Sequence, residues 1–217
     1  MASDIILKLQ SIQVQYDDTP VLQGIDLNVA RGDRIWIHGP SGGGKTTLLK
    51  VLFCAEFFSG SLLYQNRPVE PACLEVYRSR LGFVSQKIPD FDCDVDEVLQ
   101  YPFHFRANRR LPFPHARAME LLSELRFDRD ILARRFSDLS GGEKQRLMVL
   151  LMLLINRPIF LLDEVTAALD PDNIETVIRL LTASAERTII SVSHDTVWKN
   201  YCSRSLSMQA GRLREAR

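Results

Sequence analysis

The sequence predicts an α/β fold with a mainly parallel sheet core, helices on both its faces, a small antiparallel β part and an inserted helical subdomain. Short apolar strand patterns alternate with helical patterns, which favours parallel strands joined by helical crossovers. One strand, Ile35–His38, runs directly into a Gly-rich loop and then a helical pattern. Prolines punctuate short helical patterns at about residues 87–156, so we predict this stretch to be the insertion within a single domain, 1–217.

The strand patterns are short, and the first two alternate apolar and polar residues, as strands with one buried face do. The predicted strands cover 7–14, 22–29, Ile35–His38, Ser61–Tyr64, Leu81–Ser85, Ile159–Leu162 and Thr188–Val192. A weakly alternating tail from Ser205 is predicted to form a small terminal hairpin.

The helical patterns place apolar residues three or four positions apart. The predicted helices cover Thr46–Phe58, a stretch from Val95, His115–Leu125, a stretch from the SGGEKQR string to near Asn156, and Asn173–Ala185. For the helix from Val95, Asp94 is predicted to be the N-cap, with Glu97 at the capping-box position.

The composition is that of an ordinary globular protein, with 46% hydrophobic and 25% charged residues. Lys plus Arg equals Asp plus Glu at 27 each, so the overall charge gives no reason to expect a nucleic-acid partner or an acidic membrane surface. One local run, Arg106–Arg110, is basic. A solvated loop face and a contact with lipid headgroups are both open for this run.

Cysteine spacing and hydropathy argue against several other classes of protein. The four cysteines lack a Cys-x-x-Cys spacing, which argues against a zinc site or dithiol motif and favours a reducing compartment. The longest apolar run, Leu147–Ile155, has nine residues, whereas a membrane-spanning helix needs about 20. We therefore expect this run to form a buried helix, and we expect neither a signal peptide nor a membrane crossing.

The Gly-rich loop GPSGGGKT follows the phosphate-loop pattern Gly-x4-Gly-Lys-Ser/Thr. Glycines at a helix N-terminus let backbone N–H groups approach the phosphates of ATP. Lys45 is predicted to neutralise the β- and γ-phosphates, and the Thr46 hydroxyl is predicted to bind Mg²⁺. A structural turn would explain the glycines but not the Lys-Thr pair. The predicted nucleotide contacts here are Gly39, Pro40, Ser41, Gly42, Gly43, Gly44, Lys45, Thr46 and Thr47.

Two adjacent acids, Asp163 and Glu164, follow the apolar strand Ile159–Leu162. Open α/β sheets bind ligands at the carboxyl ends of their strands, which is where this pair lies. Because successive strand side chains point to opposite faces, we expect the two carboxylates to have different roles.

A second string, LSGGEKQ at Leu139–Gln145, is rarer than the phosphate loop. With both strings and the IFLLDE segment, the chain resembles the ATP-binding subunit of an ABC (ATP-binding cassette) transporter, a phosphate-loop NTPase of the ABC type. The resemblance implies a Mg²⁺-dependent ATPase in which Asp163 supports Mg²⁺ and Glu164 polarises the attacking water. With Lys45, Glu164 becomes part of the predicted catalytic set.

Three further residues match family positions by resemblance. Gln86 matches the Q-loop residue, which contacts Mg²⁺ or the attacking water, and His194 in SVSHD matches the switch histidine, which contacts the γ-phosphate and joins the catalytic set. Tyr16 lies where the family has an aromatic residue that stacks on adenine; a half-buried strand tyrosine is the alternative. Ala168 stands where the family usually has serine in its D-loop, which leaves the dimer contact there less defined.

The second string also implies a partner. Ser140, Gly141 and Gly142 open a helix and form a second anion site, which in the family faces the ATP of another subunit. The resemblance thus implies a dimer of two copies with two ATP molecules between them.

A membrane permease is the other implied partner. The segment Gln86–Arg110 contains four aromatic residues that are candidates for a hydrophobic contact surface with the permease. They are Phe91, Tyr101, Phe103 and Phe105. The alternative is that they fill the core of the helical subdomain. The implied location is peripheral, on the cytoplasmic side of the inner membrane.

The segments VYRSRLGFVSQ and GRLREAR look similar to small bacterial iron-export-type ATP-binding subunits. Competing hypotheses are a non-transport ABC ATPase, such as an iron–sulfur cluster assembly factor, a translation or DNA-repair cassette, and a module that holds ATP without hydrolysing it. The chain has no room for the tandem cassettes or long coiled coils of the translation and repair types. The intact Lys45, Glu164 and His194 argue against the non-hydrolysing module.

Overall fold

Ten strands and six α-helices are interspersed along the chain in the computed structural model, which describes residues 4–216. The strands are β1 (Ile5–Tyr16), β2 (Thr19–Ala30), β3 (Arg34–His38), β4 (Ser59–Tyr64), β5 (Arg67–Pro68), β6 (Leu81–Val84), β7 (Ile159–Asp163), β8 (Thr188–Val192), β9 (Arg204–Gln209) and β10 (Arg212–Glu215). The helices are α1 (Lys45–Leu52), α2 (Leu74–Arg78), α3 (Val95–Gln100), α4 (His115–Glu124), α5 (Gly141–Ile155) and α6 (Pro171–Leu181).

A six-stranded sheet with the order β10-β9-β3-β8-β7-β6 forms the centre of the molecule. Every neighbouring pair from β9 to β6 is parallel. Strand β10 is antiparallel to β9, and this hairpin confirms the prediction for the tail. The predicted α/β fold with a mainly parallel sheet is therefore confirmed.

A second sheet, with the order β2-β1-β4-β5, is antiparallel throughout. Its two long strands bury alternate apolar residues and expose the polar ones between them. This pattern is the one predicted for the first two strands, and the sheet is the small antiparallel β part of the fold. The short β5 and the helix α2 were not predicted.

The central strands divide their side chains between two cores. In β7, Ile159 and Leu161 pack against α1 and the antiparallel sheet, whereas Phe160 and Leu162 pack against the helical region. All five residues of β7 and of β8 are buried. This double burial explains why these strands are continuously apolar rather than alternating.

The apolar run Leu147–Ile155 belongs to α5, which buries most of these side chains against α4, α6 and the sheet. The prediction of a buried helix is confirmed. Between residues 4 and 216, no helix has both the length and the apolar character that crossing a bilayer requires.

The prediction that the first helix continues to Phe58 is wrong, because α1 ends at Leu52. Cys54 has a left-handed backbone with φ 54°. The N–H of Cys54 donates to the carbonyl of Val51 at 2.9 Å, and the N–H of Ala55 donates to that of Lys50 at 2.8 Å. This pair of hydrogen bonds is a Schellman motif, which satisfies the last carbonyls and turns the chain away from the helix.

Two helix starts also differ from expectation. Asp94 is the residue before α3, but its side chain makes no capping hydrogen bond and contacts Arg135 instead, at 3.5 Å. Helix α6 begins at Pro171, ahead of the predicted Asn173, and ends at Leu181. Asp170 caps it, accepting a hydrogen bond from the N–H of Asn173 at 3.0 Å.

Removing the ring of Phe160 should test the core around β7. The ring is fully buried, and the Arg187 guanidinium lies 4.5 Å from its centroid. We expect Phe160→Ala to lower the free energy of unfolding by about 3–5 kcal/mol. The matched control Phe57→Ala removes a ring that is 96% exposed and should change it by less than about 0.5 kcal/mol. Equal losses in urea unfolding followed by circular dichroism would contradict this packing.

Candidate functional site

The phosphate loop leaves the end of β3 with a backbone that only glycine adopts easily. Gly39 has φ 139°, and a Cβ atom there would lie 2.0 Å from the carbonyl oxygen of Met208 in β9. Gly42 and Gly44 have φ 75° and 100°. The loop therefore needs glycine for its conformation and for its close approach to β9.

Lys45 begins α1 and is only 6% exposed. Its Nζ donates hydrogen bonds to the carbonyl oxygens of Gly39 and Pro40, at 2.8 Å and 3.0 Å. An ammonium group has three donors, so one remains for another acceptor. The loop thus wraps around a cation whose present partners are neutral, and it is suited to bind an anion.

Asp163 lies at the end of β7 and is 1% exposed. Its Oδ1 accepts a hydrogen bond from the Thr46 hydroxyl at 3.0 Å. Its Oδ2 is buried and has no hydrogen-bond partner. Burial raises the pKa of this carboxyl above its ordinary value, and the hydrogen bond from Thr46 opposes the shift. An unpaired buried oxygen beside a hydroxyl is suited to Mg²⁺, which prefers such hard ligands.

Within residues 4–216, no group of three or more His, Cys, Asp or Glu side chains could hold a metal ion by itself. The Thr46–Asp163 pair is therefore not a protein-only metal cage. Mg²⁺ is commonly held by one or two carboxylates together with substrate phosphates, and the residues here fit that arrangement.

Glu164 follows Asp163 and turns to a different side because its backbone is left-handed, with φ 52°. Its Oε1 lies 3.4 Å from Nε2 of His194, and its Oε2 accepts a hydrogen bond from the His194 N–H at 3.3 Å. Burial raises the pKa of the Glu164 carboxyl, and His194 opposes the shift. The two adjacent acids therefore lie in different surroundings, but the cause is the left-handed backbone of Glu164, which lies beyond the end of β7, and not strand alternation.

A cleft of about 430 Å³ brings many of these groups together, although Asp163, Gly39, Pro40 and Gly43 are not part of its lining. Most of the predicted site residues line it, from four separate parts of the chain. Its lining is Val21, Ser41, Gly42, Gly44, Lys45, Thr46, Thr47, Gln86, Glu164, Ala167 and His194. Parallel β3, β7 and β8 end at this edge of the sheet, which explains why such distant residues meet.

Tyr16 lies beside the cleft rather than in its lining. Its hydroxyl donates a hydrogen bond to Glu56, and this bond is the main reason why the pKa of Tyr16 is raised. The nearby Thr47 side chain opposes this rise in the pKa of Tyr16, so the tyrosine is close to the phosphate loop. The ring is 44% exposed, and adenine stacking stays a prediction.

The start of α5 does not line this cleft. Ser140 is the N-cap of α5, and with Glu143 it forms a capping box. A Cβ atom on Gly142 would lie 2.9 Å from the carbonyl oxygen of Ala168, so the glycine allows α5 to pack against the segment after β7. Ser140, Gly141 and Gly142 are thus a second, separate candidate site within this chain.

The four aromatic residues of the Gln86–Arg110 segment divide into two kinds. Phe103 is 7% exposed, and Phe91 packs against Phe136 with centroids 5.1 Å apart, so both belong to the helical core. Tyr101 and Phe105 are 54% and 49% exposed. The core alternative therefore holds for Phe91 and Phe103, and the interface hypothesis applies only to Tyr101 and Phe105.

A larger groove of about 740 Å³ lies between the β6 edge of the sheet and the helices α2 and α5. Its walls are mostly apolar, and three cations line it. The apolar residues include Phe53, Phe83, Ile88, Phe105, Met148 and Leu151, and the cations are Arg78, Lys87 and Arg157. This groove contains none of the phosphate-loop residues, so it is a separate feature.

Sequence reasoning missed the polar network beneath the cleft. Thr166, which is 1% exposed, donates a hydrogen bond to Asp195, and its hydroxyl lies 3.2 Å from that of Ser193. The N–H of Asp195 donates to the Ser193 hydroxyl at 3.0 Å. These bonds join the segments after β7 and β8 and hold Glu164 near His194. The available signal in the sequence was the small polar residues next to the Asp163-Glu164 pair and next to His194.

The family model described as ABC transporter matches residues 22–167 of this chain. The probable iron export ATP-binding protein FetA of Escherichia coli (strain K12) is 31% identical over 218 residues, which cover 98% of this chain and 96% of that protein. The energy-coupling factor transporter ATP-binding protein EcfA1 of Staphylococcus aureus (strain USA300) is 32% identical over 203 residues, with coverage of 89% and 73%.

Among solved structures, the dimeric bacterial ABC transporter cassette MJ0796 superposes with a TM-score of 0.85 at 26% identity, covering 98% of both chains. The same cassette in a post-hydrolysis state, bound to ADP and Pi, gives a TM-score of 0.84 at the same identity and coverage.

Proposed function

This chain belongs to the ABC transporter family, as the ATPase subunit of a transporter, and we propose that the transporter it powers exports metal ions, iron in particular. The similarity to a probable iron export ATP-binding protein over nearly the full length of both chains supports the substrate. The similarity to an energy-coupling factor subunit covers less of both chains. In this proposal residues 1–217 act as one ATP-binding domain with the helical insertion at about 87–156.

The proposed ATP site is the cleft at the carboxyl ends of β3, β7 and β8. The phosphates bind the backbone N–H groups of the Gly39–Thr46 loop and the third N–H donor of Lys45. Tyr16 stacks on the adenine from the rim of the cleft. Phosphoryl transfer needs positioning and charge stabilisation more than covalent chemistry, and a Gly-rich loop with a buried ammonium provides both.

Thr46, Asp163 and Gln86 would hold Mg²⁺ here, with Asp163 supplying the oxygen that has no other partner. When bound, Mg²⁺ neutralises charge that develops on the phosphate oxygens. Gln86 lies in the lining of the same cleft, so its side chain reaches the metal side of the nucleotide or the attacking water.

Glu164 is the proposed group that accepts the proton of the attacking water, with His194 beside the γ-phosphate. The 3.4 Å separation of Glu164 Oε1 and His194 Nε2 keeps the imidazole next to the carboxylate. Because burial raises the pKa of Glu164, its carboxylate is a stronger base than that of an ordinary exposed glutamate.

Glu164→Gln should bind ATP as the wild type does and lose turnover by about a hundredfold or more, since general-base catalysis contributes on that order. The matched control Glu175→Gln, on exposed α6, should hydrolyse ATP normally. Wild-type hydrolysis should fall at acid pH as Glu164 becomes protonated, from a higher pH than an ordinary glutamate would give. Steady-state phosphate release measures turnover in the two variants and the pH dependence of the wild type. Unchanged turnover in Glu164→Gln would remove the role assigned to Glu164.

A second copy of the chain is the proposed partner at the cleft. Ser140 and Gly141 are exposed at the start of α5 and lie outside the cleft of their own chain. A hydroxyl and free N–H groups at a helix N-terminus suit a phosphate. The dimeric state of a cassette with the same fold supports an arrangement in which each copy completes the other's site.

The Glu164→Gln variant with ATP should elute as a dimer in size-exclusion chromatography, because uncleaved ATP that bridges two copies favours association by mass action. Adding Ser140→Arg should abolish this dimer and leave monomer ATP binding intact. Ser123→Arg, on the exposed face of α4, is the matched control and should still dimerise. A dimer that persists with Ser140→Arg would place the interface elsewhere.

An integral membrane permease is the proposed transport partner, with this chain peripheral on the cytoplasmic side of the inner membrane. The 740 Å³ groove supports the proposal because its walls are mostly apolar and its lining has three cations, Arg78, Lys87 and Arg157, against one acid, Glu75. An apolar permease segment with acidic residues at its end complements such a groove. Residues 85 and 87–89 line the groove, and Gln86 between them lines the cleft, so docking is next to the proposed ATP site.

Cells that lack the protein should retain more iron under iron excess, and wild-type protein should restore export whereas Glu164→Gln should not. Total cellular iron, measured by elemental analysis, reports the outcome. The alternative, an iron–sulfur cluster assembly factor, predicts unchanged total iron with reduced activity of cluster-containing enzymes. That second pattern would contradict iron export without affecting the ATPase assignment.

A further inference from the structure

The segment Tyr101–Leu111 of the helical region exposes cations and apolar side chains together. We call its exposed residues Tyr101, Phe105, Arg106, Arg109, Arg110 and Leu111 the basic–aromatic patch. The three apolar members are 54%, 49% and 41% exposed. The rings of Tyr101 and Phe105 contact each other edge to face, with centroids 5.0 Å apart.

A buried asparagine gives this segment a defined shape. Asn108 is 5% exposed, and its Nδ2 donates to the carbonyl of Pro102 at 2.9 Å. Its Oδ1 accepts a hydrogen bond from Arg157, which lies just beyond α5. The N–H of Leu111 donates to the Asn108 carbonyl at 2.7 Å. The turn is thus fixed from inside, and the residues around Asn108 point outward.

The charge of the patch is uncompensated in the described part of the chain. Residues 101–111 contain no acidic residue. Arg106, Arg109 and Arg110 form no ion pair with any residue from 4 to 216, whereas Arg117 and Arg135 nearby in sequence each contact two carboxylates. Three unpaired guanidinium groups beside exposed aromatic rings are expected to attract an anionic surface.

We propose that the basic–aromatic patch binds directly to the anionic headgroups of a lipid bilayer. Guanidinium groups contact lipid phosphates, while tyrosine, phenylalanine and leucine side chains enter the boundary between headgroups and acyl chains. Phe105 also lines the 740 Å³ groove, so the patch continues the surface that the proposed function assigns to the permease. In this respect, the inference rests on the proposed function.

The combination of residues favours a lipid surface over other anionic partners. An acidic segment of the permease is the other candidate, and the vesicle experiment below distinguishes it because it is done without the permease. Arginine with interfacial aromatic residues is typical of segments that lie on a membrane surface.

Vesicle co-sedimentation of the full chain without any permease tests the proposal. Vesicles of phosphatidylcholine with 30% phosphatidylglycerol, roughly bacterial in charge, are compared with pure phosphatidylcholine. The wild type should bind the anionic vesicles preferentially, and binding should weaken in high salt. Arg106→Gln/Arg109→Gln/Arg110→Gln should bind on the order of a hundredfold more weakly, because each basic residue contributes about fivefold, or about 1 kcal/mol.

The matched control is Arg67→Gln/Arg129→Gln/Arg214→Gln, which removes the same charge from other exposed positions. It should bind anionic vesicles like the wild type, and both triple variants should keep the wild-type melting temperature and ATP affinity. Equal binding by both triple variants, or equal binding to the two vesicle types, would overturn the proposal. A further outcome would also overturn the proposal: the wild type binds no vesicles, and Arg106→Gln/Arg109→Gln/Arg110→Gln loses permease-stimulated hydrolysis. That outcome would identify a protein contact. Vesicle binding is measured without the permease, so this result does not depend on whether the permease docks in the groove.

Discussion

The buried carboxylate of Asp163 is the constraint on which the arrangement of the site depends. It is 1% exposed, and one of its oxygens has no hydrogen-bond partner. Such a group costs about 1–3 kcal/mol or more when left unpaired, and the proposed Mg²⁺ would offset this cost. Thr46 and Asp163 join the start of α1 to the end of β7. The same contact aligns the phosphate loop with Glu164 and His194.

Much of this arrangement could be predicted from the sequence. A glycine-rich string between an apolar strand and a helix has few structural solutions, so the loop at Gly39 and the helix from Lys45 were predictable. Parallel strands carry their ends to one edge of the sheet. The residues after β7 and β8 therefore had to lie near that loop, and Glu164 and His194 do.

The rest depends on tertiary contacts that leave no local pattern. Helix α1 ends early because Cys54 adopts a left-handed conformation, which the sequence does not signal with glycine or asparagine. The burial of Phe103 beside the exposed Phe105 follows from how the turn around Asn108 packs. The network of Thr166, Ser193 and Asp195 forms only when two distant strand ends meet.

The most direct measurement is ATP affinity with and without Mg²⁺, by calorimetric titration of the wild type and Asp163→Asn. In the wild type, Mg²⁺ should increase the affinity, because Asp163 gains the partner that its buried oxygen lacks. In Asp163→Asn the increase should disappear, whereas the exposed control Asp172→Asn should retain it. The same Mg²⁺ dependence in all three proteins would contradict the account, because the buried carboxylate would then have no part in holding the metal.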